Sequence, residues 1–232
     1  ALWNWATKHQ KSFIYASSAA TYGDGYQGFD DDQSESSLAN LAPLNLYGWS
    51  KHSFDKFVAR LEKSGGKTPA QWAGLKFFNV YGPNEYHKGN MKSVIAQSYP
   101  KIAAGDPVTL FKSHNPNYED GGQLRDFVYV KDCVKVILWL LDNVHVSGLF
   151  NLGTGQARSF KELAEATFKA ANKDNQISYI DTPLSIRDKY QYFTEAKMQK
   201  LREAGYGGNF YSLEDGIGEY VTDYLAKEDP YR

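Results

Sequence analysis

Phe13-Ile14-Tyr15-Ala16-Ser17-Ser18 is a short apolar run closed by two hydroxyl residues. Such a run suits a strand buried on both faces, as parallel sheets require. Downstream, Asn45 precedes a helical pattern in which Phe54, Phe57, Val58 and Leu61 fall at i, i+3, i+4 and i+7, ended by Ser64-Gly65-Gly66. Leu75 to Asn79 then reads as a strand closed by Gly82-Pro83. Strand, helix and strand in that order predict an α/β architecture with a mostly parallel sheet.

The rest of the chain continues the alternation. Val94 to Ala104 has helical character that Pro100 is expected to kink or break. Val108–Phe111, Phe127–Val130, Leu149–Leu152 and Ile177–Ile180 read as strands, and Asp132 opens an apolar helix. Ser159 and Glu162 form a capping-box pair. Thr194 and Ser212 are the expected caps of two last helices. The Asp30-Asp31-Asp32 stretch and Asn115 to Gln123 read as exposed loops.

Composition narrows the class. The 232 residues are 42% hydrophobic and 23% charged, with a formal net charge of -1. That excludes disorder and a nucleic-acid binder working by general charge. Cys133 is the only cysteine, so no internal disulfide is available. The longest apolar run, Val136 to Leu141, is far too short for a membrane span. A reducing cytoplasm is the expected setting. The five histidines show no metal-ligand spacing, and no metal is expected.

Two nucleotide motifs fail on context. Gly23-x-Gly25-x-x-Gly28 matches the dinucleotide fingerprint, but acidic residues follow it instead of a helix N-terminus. Gly66-Lys67-Thr68 imitates the end of a P-loop, yet Leu61 stands where glycine is needed and the segment leaves a helix. Gly153-Thr154-Gly155 reads as a tight strand-to-helix turn.

Tyr47 and Lys51 carry more. At i and i+4 they project from one helix face, and Ser18 stands at the carboxyl end of a strand, where open α/β sheets bind ligands. A hydroxyl, a phenol and an ammonium meeting there form a proton-transfer site. An ammonium at ~4 Å is worth on the order of 4 kcal/mol at an effective dielectric of ~20. That matches the cost of drawing a phenol proton near neutral pH. Lys88, in the polar stretch His87-Lys88-Gly89-Asn90, is a second candidate, although on its own it reads as a solvated loop lysine.

These residues fall within a longer series of segments. Ala16-Ser17-Ser18-Ala19-Ala20-Thr21-Tyr22-Gly23, Asn45-Leu46-Tyr47-Gly48-Trp49-Ser50-Lys51 and Phe77-Phe78-Asn79-Val80-Tyr81-Gly82-Pro83 come first. His87-Lys88-Gly89, Arg125-Asp126-Phe127-Val128-Tyr129-Val130, Phe150-Asn151-Leu152-Gly153-Thr154-Gly155 and Lys189-Tyr190-Gln191 follow. Together they resemble the extended short-chain dehydrogenase/reductases. Within that superfamily the chain is similar to the nucleotide-sugar epimerases acting on ADP-heptose.

The resemblance implies an incomplete Rossmann-like parallel sheet with a smaller α/β substrate-binding domain. Residues 1–82 and 126–153 would be the dinucleotide-binding part, and 83–125 and 154–232 mainly the substrate domain. It implies NADP as cofactor, ADP-heptose as substrate and a homo-oligomer, with no nucleic-acid or membrane partner. Tyr47 and Lys88 match the two family bases, and Lys51 and Ser18 their helpers. Lys51, Val80 and Lys88 match cofactor contacts. Ser18, Asn79, Asn90, Gln97, Phe111, Lys112, Ser113, His114, Arg125 and Tyr190 match substrate contacts. Arg125 suits a diphosphate because its guanidinium is a permanently charged fork.

The family's opening glycine-rich strand-turn-helix has no counterpart here, so roughly ninety residues of the first mononucleotide-binding half are expected to be missing. The chain is then expected to be a fragment with an open sheet edge, which an intact mass would test. Two other functions remain open from the sequence: a UDP-hexose 4-epimerase, and a non-catalytic nucleotide-binding remnant. A 4,6-dehydratase fits less well, because Ala19-Ala20 stands where that group has an Asp-Glu pair.

Overall fold

The computed structural model describes residues 1–187 and 190–231. The elements run α1 (Leu2–Lys8), β1 (Ser12–Ser18), α2 (Glu35–Asn40), α3 (Leu46–Lys63), β2 (Gln71–Phe77), β3 (Asn79–Tyr81), α4 (Val94–Ala104), β4 (Val108–Phe111) and β5 (Leu124–Tyr129). They continue as α5 (Val130–Asp142), β6 (Gly148–Leu152), β7 (Ala157–Ser159), α6 (Phe160–Ala170), β8 (Ile177–Ile180), α7 (Leu184–Arg187), α8 (Gln199–Glu203) and α9 (Leu213–Tyr220). Contacts divide the chain into two compact units, each described by itself below. The first holds residues 1–78, 133–155 and 195–208, and the second holds 79–132, 156–194 and 209–232.

In the first unit β1, β2 and β6 form a parallel sheet in that order. The central strand β2 is buried almost throughout. Trp3 of α1, Val58 of α3 and Trp72 of β2 pack together on this sheet. A second cluster joins Tyr22, Phe29, Leu38, Phe78 and Leu149. Full burial of each large apolar side chain contributes roughly 1.5–3 kcal/mol.

The acidic stretch is a loop with Asp30 and Asp32 exposed, as expected, but Asp31 is buried at 3% exposure. Its carboxylate accepts from Asn151 N at 2.8 Å, and Gln33 Oε1 accepts from Leu149 N at 2.9 Å. Two side chains thus satisfy alternate N–H groups of edge strand β6 where a further strand would otherwise bond. Burial raises the Asp31 pKa, opposed by the Asn151 N–H and the Lys200 charge.

In the second unit β3, β5 and β7 form a three-stranded sheet, with β3–β5 parallel and β5–β7 antiparallel. Strands β4 and β8 pair in parallel. Tyr81, Ile95, Tyr129, Leu163, Ile217 and Tyr220 form its main core. Ile102, Leu110 and Phe168 form a second. A Cβ on Gly216 would meet Tyr81 Oη at 2.1 Å, so glycine there lets α9 press onto the tyrosine.

Several local expectations need correction. Helix α4 continues four residues past Pro100 and ends at Gly105 (φ +85°). An interior proline costs about 3 kcal/mol, and the full burial of Ile95 and Ile102 on the same helix is of the size to offset it. Thr194 caps no helix: its N–H donates to Leu124 O, and α8 starts at Gln199 without a side-chain cap. Ser212 does cap α9, and Ser159 and Glu162 form the full capping box on α6. Gly153-Thr154-Gly155 leads into the short strand β7, which runs directly into α6. Helix α2 is capped by Ser34, whose Oγ accepts from Ser37 N. Among the described residues no helix is long and apolar enough to cross a membrane.

Candidate active site

In the first unit Ser18 ends β1 and caps a 3-10 turn over Ala19–Tyr22, its Oγ accepting from Ala20 N at 3.1 Å. The hydroxyl proton of Ser18 stays available to donate. Helix α3 begins nearby because Asn45 caps it, its Oδ1 accepting from Gly48 N at 2.8 Å. A Cβ on Gly48 would meet Ala20 O at 2.7 Å and Pro43 Cβ at 2.9 Å. Glycine at 48 therefore lets the first turn of α3 close onto the backbone just after Ser18. The neighbouring residue on that turn is Tyr47, which is 57% exposed.

Lys51 lies one turn further along. Its Nζ donates to Ala16 O of β1 at 2.9 Å and sits 5.7 Å from the centroid of the Tyr47 ring. The structure therefore brings Ser18, Tyr47 and Lys51 to the carboxyl end of β1. A phenol with an adjacent cation and a hydroxyl donor can move a proton on and off a bound hydroxyl group.

Under this set lies a polar network that the sequence did not disclose. Asp55 Oδ2 accepts from Ser17 Oγ at 2.6 Å and pairs with Lys76 Nζ at 3.2 Å. Asp55 Oδ1 accepts from the Tyr15 hydroxyl at 3.1 Å. Lys76 Nζ also donates to Thr21 Oγ1 at 2.6 Å and sits 4.7 Å from the Tyr22 ring centroid. Burial pulls the Lys76 pKa down, and Asp55 opposes that shift. Burial, then the Lys76 charge, lower that of His52. The Tyr22 hydroxyl donates to Asn151 Oδ1 at 2.6 Å, and Asn151 Nδ2 donates to Phe29 O at 2.8 Å and Lys197 O at 3.1 Å. The one available signal was Asp55 standing four residues after Lys51 on the same helix.

In the second unit, Lys88 and Asn90 lie exposed on a 3-10 turn over Tyr86–Met91. Glu85, buried just before it, accepts from Ser93 N and Ser93 Oγ at 2.6 Å each and from the Tyr220 hydroxyl at 3.0 Å. Asn79 is exposed and Val80 half-buried on β3. Gln97, Phe111 and Tyr190 share a cavity of ≈ 450 Å³ with Ser98, Lys101 and Phe160, a volume in the range of ligand pockets.

Arg125 packs beside this cavity, 5.6 Å from the Tyr190 ring and 5.7 Å from the Phe160 ring. It donates to Leu124 O at 2.8 Å and to Gln191 O. Burial lowers its pKa, with Tyr190 and Tyr118 opposing. Lys112, Ser113 and His114 each have a partner within the protein. Lys112 pairs with Asp181, Ser113 Oγ donates to Asn115 O, and His114 Nε2 accepts from Thr182 N. Lys189 lies outside the described residues.

The fold and these two sites define a class, and comparison with known proteins agrees. Residues 1–153 match the model of the NAD dependent epimerase/dehydratase family, and the chain belongs to that family. Among its relatives is an ADP-L-glycero-D-manno-heptose-6-epimerase of Nitratidesulfovibrio vulgaris (strain DP4), 54% identical over 94% of this chain. The match spans 66% of that relative's length. A Fusobacterium nucleatum protein of the same name is 49% identical over 99% of this chain and 70% of its own. The crystal structure of Helicobacter pylori ADP-L-glycero-D-manno-heptose-6-epimerase matches with a TM-score of 0.75 and 30% identity, over 94% of this chain and 61% of that one. A Thermus thermophilus UDP-glucose 4-epimerase shares the fold, at a TM-score of 0.71 and 24% identity.

Proposed function

We propose that the protein carrying this chain converts ADP-D-glycero-D-manno-heptose to its L-glycero epimer at C6, by transient oxidation to a ketone and re-reduction. The observation that carries the reading is the Ser18–Tyr47–Lys51 arrangement: an ammonium 5.7 Å from the centroid of the Tyr47 ring, at the end of a parallel strand that closes with Ser18. The names of the relatives point to the same substrate.

A nicotinamide cofactor fits the donors present, because an ammonium, a phenol and a hydroxyl gather where a nicotinamide ribose and a sugar hydroxyl can both be bonded. We assign it as NADP. When bound, NADP would supply reversible hydride transfer at C6. Lys51 would hold its ribose, with Val80 and Lys88 as further contacts. Tyr47 takes the proton from the C6 hydroxyl as the ketone forms, and Ser18 donates a hydrogen bond to that oxygen. Re-reduction on the opposite face needs a proton delivered from a second side, which is the role given to Lys88. Asn79, Asn90 and Gln97 bond the sugar nucleotide. Phe111 and Tyr190 wall the nucleotide cavity, and Arg125 meets the diphosphate as a fixed charged fork. The product would serve heptose incorporation into the lipopolysaccharide inner core, and a homo-oligomer is the proposed assembly.

Replacing Lys88 by Ala in the full-length enzyme tests the assignment. Heptose epimerisation should be lost while the thermal unfolding midpoint, set by a fold in which Lys88 is exposed, stays near wild type. An unaffected rate would overturn Lys88 as the second base, and wild type that turns over UDP-hexose but not ADP-heptose would favour the one-base UDP-hexose 4-epimerase.

A further inference from the structure

We infer that the buried Asp55–Lys76 pair is the positioning element of the proton-transfer set, fixing helix α3 in register against the end of β1. The inference rests on the proposed epimerase reading and deepens it. Helix α3 carries Tyr47 and Lys51, and β1 ends in Ser18, so the reaction depends on how these two elements align.

Two successive turns of α3 grip two successive residues of β1. Lys51 Nζ donates to Ala16 O at 2.9 Å, and one turn on, Asp55 Oδ2 accepts from Ser17 Oγ at 2.6 Å. The second grip is reinforced from both sides. Tyr15 donates to the other carboxylate oxygen, and Lys76 reaches from the central strand to pair with Asp55. The same ammonium continues to Thr21 Oγ1, whose hydroxyl donates to Ser18 O at 2.8 Å. One chain of bonds therefore runs from the catalytic helix through β2 to the carbonyl of Ser18.

Both charged side chains are at most 1% exposed. A buried ion pair is a poor source of net stability, since a well-packed apolar pair of similar volume is often as stable. Directional bonds to β1 and to the turn after it are what such an apolar pair would not reproduce. Neither Asp55 nor Lys76 is assigned a contact with substrate or cofactor, so their effect on rate must pass through Ser18, Tyr47 and Lys51.

The test is the double variant Asp55→Leu/Lys76→Met in the full-length enzyme, which removes both charges and puts apolar side chains in their places. Thermal unfolding, KM for the ADP-sugar and kcat are measured against wild type and Tyr47→Phe. The expected result is a folded variant whose Tm is lowered by the lost partners of the Ser17, Tyr15 and Thr21 hydroxyls, with KM within about two-fold and kcat, read well below that Tm, reduced about 10- to 100-fold, the scale of a small misplacement of reacting groups. Ser17→Ala, which leaves the ion pair intact, should show the same split more weakly, and it serves if the double variant does not fold. Wild-type kcat in either variant overturns the positioning role. If Tyr47→Phe stops turnover while the double variant does not slow it, only this inference fails. If wild type does not act on ADP-heptose, the epimerase reading fails, and this inference with it.

Discussion

Arg125→Met separates substrate binding from stability in the second unit. The methionine keeps an unbranched apolar stem against the Phe160 and Tyr190 rings, which the guanidinium now meets at 5.7 and 5.6 Å. Two side-chain bonds to the carbonyls of Leu124 and Gln191 disappear. The backbone bonds that tie the same segments together, Leu124 N to Tyr192 O and Thr194 N to Leu124 O, remain. Relief of a buried charge works against the loss of the two bonds, so stability should change by no more than about 1 kcal/mol. Binding of ADP should suffer far more. A charge-assisted bond to phosphate is worth about 1.5–3 kcal/mol, which is roughly a 10- to 150-fold weaker Kd. Calorimetric titration with ADP gives the second number and urea unfolding the first. Unchanged ADP affinity in a folded variant would refute the placement of the diphosphate at Arg125.

Other consequences can be measured without substrate. Asn151→Leu strands the buried Tyr22 hydroxyl. At ~1–3 kcal/mol for an orphaned buried group, the urea midpoint should fall by the equivalent of about 1–3 kcal/mol with an unchanged m-value. Gly216→Ala forces a Cβ to within 2.1 Å of Tyr81 Oη. It should destabilise by about 1–3 kcal/mol, although alanine is the better helix former; equal or higher stability would contradict the close packing of α9.

Acid lability should involve Glu162. Burial alone would raise its pKa, but the Ser159 N–H and hydroxyl and the Arg158 charge hold it below its ordinary 4.5. Its contribution is therefore present above about pH 4.5 and lost as pH falls through the lower folded value. The Tm gap between wild type and Glu162→Gln should narrow between pH 6 and pH 3. A constant gap would mean the charge of Glu162 is not involved.

What could be read in advance follows physical range. The strand at Phe13, the helix carrying Phe54 and Leu61, and the Ser159–Glu162 box depend on residues a few positions apart, and local pattern reports them. Ser18, Tyr47 and Lys51 were legible because the strand end and the i, i+4 spacing place them. The fate of Asp31 was not, because its burial depends on Asn151, 120 residues away. Lys76 on a buried strand contradicted every local rule, and only Asp55 and Thr21 from other elements explain it. At Pro100, for the same reason, the helix does not break: a local penalty is outweighed by core contacts that the local pattern does not encode.

The most direct measurement follows ADP-D-glycero-D-manno-heptose by proton NMR with the full-length enzyme and NADP. The account predicts approach to a mixture of the two C6 epimers with wild type and no epimer formation with Tyr47→Phe. Undiminished epimerisation by Tyr47→Phe would contradict it.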